Sequence, residues 1–86
     1  MVFVTFEELK RELKHRVITL LCASVEFITE STASDAFEVS DSFVELKHYC
    51  QRKYPSGDIP FLDVDRISDE FTPKFLKELK LAVEKR

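Results

Sequence analysis

The chain has 86 residues, 44% hydrophobic and 34% charged, which is the composition of one globular domain and excludes a disordered chain. A net charge of −3 gives no overall attraction to nucleic acid or to an acidic membrane. No apolar run approaches the roughly 18 residues needed to span a bilayer, and Met1-Val2-Phe3-Val4 is too short for a signal-peptide core, so a soluble intracellular protein, cytoplasmic or nuclear, is expected.

Val2-Phe3-Val4 suits either a short extended segment or a hydrophobic staple for the helix that follows. That helix opens at Thr5-Phe6-Glu7-Glu8, where the Thr5 hydroxyl and the Glu8 carboxylate are spaced as a capping box. At 100° per residue, Phe6, Leu9, Leu13, Val17, Leu20, Phe27 and Ile28 fall within an arc of about 100°, a core-facing stripe. Glu7 and Glu12 each precede an arginine by four residues, the favourable order for a helical ion pair. From Val17 to Ala23 the helix is apolar almost all round, and such a helix is covered on more than one side by its own chain or by a partner.

The end of this helix has two readings. Val25–Thr29 and Ala36–Val39 are both rich in β-formers, with Glu30–Asp35 between them. Either the helix runs to about residue 29 and a capped loop follows, or it stops near Ala23 and a hairpin intervenes. The lack of glycine or Asn-Gly in the connection favours the helix.

Ser42 and Glu45 are again spaced as a capping box, predicting a helix over 42–54 with Phe43, Leu46, Cys50 and Tyr54 on its apolar face. Pro55-Ser56-Gly57-Asp58 ends it, and Pro60 biases Ile59–Leu62 towards an extended segment. Asp65–Phe71 is expected to add a helical turn or two. Thr72-Pro73 reads as a cap with proline at the first helical position, starting a last helix over 73–85 that buries Phe75, Leu76, Leu79, Ala82 and Val83. With a single glycine, Gly57, the fold class is all-α: a small orthogonal or three-to-four-helix bundle, with room for one short β-hairpin. Leu13, Val17, Leu20, Phe43, Leu46, Leu79 and Val83 are the expected core.

Several chemistries fail on the residues. Counted from Asp63 as a calcium loop, the fifth, sixth and twelfth positions are Ile67, Ser68 and Lys74, where an oxygen ligand, glycine and glutamate are needed. His15, Cys22, His48 and Cys50 supply zinc-type ligands but no close pair, and neither cysteine belongs to a CxxC motif. Buried, reduced structural cysteines are expected, with no metal and no cofactor. No nucleophile is recognisably paired with a base, and no glycine-rich loop exists to cradle phosphate, so an enzyme is not expected. Thr29, Ser31, Thr32, Ser34, Ser40 and Ser42 form an acid-flanked cluster that suits turns and caps as well as kinase substrates.

Two binding readings remain. Leu81 lies on the lysine-bearing side of the last helix, framed by Lys74, Lys77 and Lys85, and such a leucine can anchor an acidic, amphipathic protein partner. A non-enzymatic protein–protein interaction module of adaptor or regulatory type, its partner another chain or a second copy, is the first expectation. The alternative is nucleic acid, held by Lys47, His48, Arg52 and Lys53. From Phe27 to Phe71 the order of a helix, an entry at Val39, a helix with Tyr49-Cys50, a turn and a short helix resembles the helix-turn-helix tail domains of viral replicative primase-helicases. That resemblance rests on element order and implies duplex binding with Asp65–Phe71 in the groove, although Asp65, Asp69 and Glu70 there would repel phosphate.

Overall fold

The computed structural model describes residues 2–24 and 37–84, with side chains for 2–22 and 37–81. In chain order it holds β1 (Phe3–Thr5), α1 (Phe6–Ser24), α2 (Asp41–Lys53), β2 (Asp58–Pro60) and α3 (Phe61–Glu84). The mostly helical fold class is therefore observed, and its small antiparallel sheet pairs Phe3 with Pro60, Val4 with Ile59 and Thr5 with Asp58. That pairing joins segments far apart in the chain. The alternative hairpin between Val25–Thr29 and Ala36–Val39 falls largely outside the described residues, and Phe37 and Glu38 are helical.

Helix α1 starts as expected, with Thr5 Oγ1 accepting from the Glu8 amide at 3.3 Å. Its buried line is Leu9, Leu13, Val17 and Leu21, each at most 1% exposed. Leu20, expected in the core, is 43% exposed. The cause is geometric. A ridge of every fourth residue drifts by about 40° per step, and α3 presents the matching ridge Ile67, Phe71, Phe75 and Leu79. Following that drift, α3 covers Leu21 and leaves Leu20 to one side. Expected helix beyond Ser24, with Phe27 and Ile28, lies outside the described residues.

Helix α2 begins one residue earlier than expected. Ser40, not Ser42, is the N-cap, and its Oγ accepts from the Phe43 amide at 3.1 Å. Ser42 is instead buried, and it donates to Glu78 of α3 through its amide at 3.0 Å and its hydroxyl at 2.8 Å. A carboxylate from another helix thus supplies the acceptor at the positive end of α2. Leu46 and Cys50 are buried, while Phe43 and Tyr54 are half-buried against the core. Gly57 has φ of 86°, a conformation glycine adopts without steric cost, and its amide closes the turn on the Tyr54 carbonyl at 2.9 Å.

The extended segment predicted over 59–62 is confined to β2, and the boundary at Thr72-Pro73 does not exist. Phe61 to Glu84 is one helix with Pro73 inside it. Proline costs such a helix about 3 kcal/mol. Val64, Ile67 and Phe71 before it and Phe75 and Leu79 after it are all buried in the same core, which outweighs that cost. Pro73 itself is exposed. The rings of Phe37 and Phe75 meet at 4.3 Å and Phe43 lies 5.3 Å from Phe37, so aromatic packing ties the α2 entry to α3. The side chain of Val83 lies outside those described.

Candidate functional site

The sideways placement of Leu20 opens a groove between α1 and α3. His15, Arg16, Thr19 and Leu20 form one wall and Asp69, Thr72, Pro73 and Leu76 the other, around a volume of about 540 Å³. Its charged end is already paired: Arg16 donates to Asp69 at 2.9 Å, with Asp65 at 3.9 Å and Glu12 at 4.0 Å from the same guanidinium. What the groove offers is apolar surface from Leu20, Pro73 and Leu76. Beneath it, the buried hydroxyls of Ser68 and Thr72 have no hydrogen-bond partner among the described residues. Pro73 also deprives the Asp69 carbonyl of its ordinary helical donor. Cys22, expected in the core, is exposed as well. Within the Val17–Ala23 segment, Leu20 and Cys22 are thus exposed while Val17 and Leu21 are buried, and Ile59 and Pro60 pair with β1.

The residues singled out on the last helix are distributed as follows. Leu81 is 49% exposed and Lys77 is exposed, whereas Lys85 lies outside the described residues. Lys74 is engaged within the fold: its ammonium lies 3.3 Å from Glu45 and 4.8 Å above the Phe71 ring, linking α3 to α2. By helical rotation Leu81 lies on the α2 side of α3, away from the groove, whereas Lys77 follows Pro73 by one turn on the outer face between the two.

The alternative basic residues are all exposed but do not share one face of α2. His48 and Arg52, four apart, lie along one line. Lys53 turns to the aromatic end of the helix, donating to Tyr49 Oη at 3.0 Å and lying 5.5 Å from the Tyr49 ring centroid and 5.9 Å from that of Tyr54. The hydrogen bond to Tyr49 raises the Lys53 pKa. Tyr54 donates to Asp63 at 2.7 Å, and its own pKa is raised by burial first and by that carboxylate second. The separate short helix that the helix-turn-helix likeness requires at Asp65–Phe71 is absorbed into α3. That element order is not present.

A second cleft of about 350 Å³ lies between α2 and the sheet, lined by Phe6, Cys50, Tyr54 and Ile59 with Lys47 among its residues. Burial pushes the Cys50 thiol up to about 11, so at neutral pH it is a protonated apolar group and a poor nucleophile. Among the described residues, no three His, Cys, Asp or Glu side chains are grouped to hold a metal ion. Nor is any helix among them long and apolar enough to cross a membrane.

The groove was hidden from sequence reasoning because Leu20 and Leu76 carry the same signal as core residues. Only the drift of the contact line separates them from Leu21 and Leu79. No protein-family model, curated protein or solved structure matches the chain.

Proposed function

We propose that the chain is a non-enzymatic protein–protein interaction module that holds a partner chain in the groove between α1 and α3. The observation that carries this is Leu20, a residue of the apolar stripe that remains 43% exposed beside Leu76 and Pro73. Apolar side chains collected in a concave strip between two helices suit the apolar face of a partner helix or segment. Arg16 and Asp69, the two oppositely charged residues of the lining, pair with each other, so apolar contact supplies most of the affinity. Leu81, on the α2 side of α3, with Lys77 on the outer face, forms a second, smaller contact.

Affinity capture from cell extract with the wild type and with Leu20→Glu and Leu76→Glu tests this. A partner retained by the wild type and lost by both variants, with their circular dichroism unchanged, supports the groove. Equal retention by all three removes it. Duplex binding that falls steeply with salt and is lost on Arg52→Ala would replace the protein-binding function with the nucleic-acid one.

A further inference from the structure

The two edges of the small sheet are built differently. The Phe61 amide donates to the Val2 carbonyl at 2.9 Å, and Pro60 has no amide, so Phe3 and Pro60 face each other without bonding to one another. Val2, Val4, Ile59 and Phe61 therefore carry the ladder, and the N–H and C=O of Phe3 point out of the sheet on the side away from β2. On the opposite edge, Pro60 offers no donor and the outward amide of Asp58 is bonded to Ser56 Oγ at 3.5 Å. Proline and a capped amide are two ways of blunting an edge strand. The β1 edge has neither. Val2-Phe3-Val4-Thr5 is uncharged and rich in β-formers, and Val2 and Phe3 are 67% and 49% exposed.

We propose that the outer edge of β1 pairs with the same edge of a second copy, antiparallel about a two-fold axis at Phe3. The product is a four-stranded sheet in the order β2-β1-β1-β2. A second copy fits because the edge is its own complement: about that axis the Phe3 N–H of each chain meets the Phe3 C=O of the other. No charge on the strand opposes the approach, and the two Phe3 rings become a cross-strand pair. Pro60, which has no donor, disfavours further strand addition at the β2 edge, so assembly is expected to close at two chains instead of growing into a fibre. Three-residue strands bury less than the ~1,000 Å² expected of a lasting interface, which makes this a weak, concentration-dependent dimer. It is independent of the groove and of the partner-binding function proposed for it.

Sedimentation velocity and amide hydrogen exchange on the full chain, up to about 1 mM, test the proposal. The wild type is expected to pass from monomer to dimer with rising concentration. Protection of the Phe3 amide should rise in step, while that of Val4 stays constant. Phe3→Pro removes the central outward donor and leaves the ladder bonds intact, so it should be monomeric throughout with unchanged circular dichroism. Phe3→Lys keeps the donor but sets like charges opposite each other, and should weaken the dimer by about tenfold or more. It carries the test alone if Phe3→Pro does not fold. A wild type that stays monomeric to that limit, or a dimer that survives Phe3→Lys, overturns the proposal. So does a dimer abolished by Leu20→Glu and indifferent to Phe3.

Discussion

Leu20 and Leu21 are adjacent in sequence, equal in chemistry and opposite in environment: one is 43% exposed above a groove, the other is completely buried beneath α3. The same division runs through both helices. On the core side, the α1 and α3 ridges interlock, and Glu78 completes the start of α2. On the groove side, among the described residues, Leu20 is partly exposed, two buried hydroxyls lack hydrogen-bond partners and a proline interrupts the helical ladder. Among the described residues, each of these helices is thus closely packed on one flank and more open on the other, and it is to the open flank that the proposed partner binding is assigned.

The comparison breaks if the two leucines behave alike. Leu21→Ala should destabilise by about 2–5 kcal/mol, measured by denaturant titration, as for a fully buried leucine. That approaches the whole stability of a domain this small. Glu78→Ala should cost about 1–3 kcal/mol, because the buried Ser42 hydroxyl and amide lose their acceptor. Exchange at the Ser42 amide should accelerate with it. For Leu20→Ala the expected loss is about 1 kcal/mol or less, with the larger effect falling on capture of a partner. A loss as large as that of Leu21→Ala would place Leu20 in the core after all.

Two smaller measurements sharpen the division. Thr72→Val replaces a hydroxyl that has no partner with a methyl group of similar shape, and should be neutral or stabilising by up to about 1 kcal/mol. Cys22 should alkylate rapidly in the folded protein and Cys50 should not, a difference that mass spectrometry reads directly. Because burial raises the Cys50 pKa from 9.0 to about 11, the unfolded chain loses this proton first. The stability contributed by the neutral thiol is present below pH 9 and falls as pH rises from about 9 to 11.

Much of the helical order was legible in the residues. The Thr5 cap, the Leu9, Leu13 and Val17 stripe, the Leu46 and Cys50 face and the turn at Gly57 each follow from a local rule, and each is observed. What was illegible depends on elements meeting. Thr72-Pro73 carries a strong local signal for a helix start, and long-range burial of Ile67, Phe71 and Phe75 on one line overrode it. Ser42 and Ser40 are both plausible caps, and the structure uses Ser40 while Ser42 bonds to Glu78, a partner 36 residues away. Val2-Phe3-Val4 had no local signal sufficient to choose a strand, because its partner lies at residues 58–60. The groove needed the angle at which two ridges cross, a quantity no single helix encodes.

The bond from Ser42 to Glu78 also sets an order of events. Thirty-six residues separate the donor from its acceptor, so α2 is synthesised well before the group that completes its first turn. Until α3 emerges and docks, Ser40 is the cap that α2 has to itself, and a 13-residue helix in water is marginal. In the native fold the start of α2 is bonded to the same helix, α3, whose Phe75 packs on Phe37. Secondary and tertiary structure are therefore coupled at this corner, and a chain ending before Glu78 is expected to have a less stable first turn in α2.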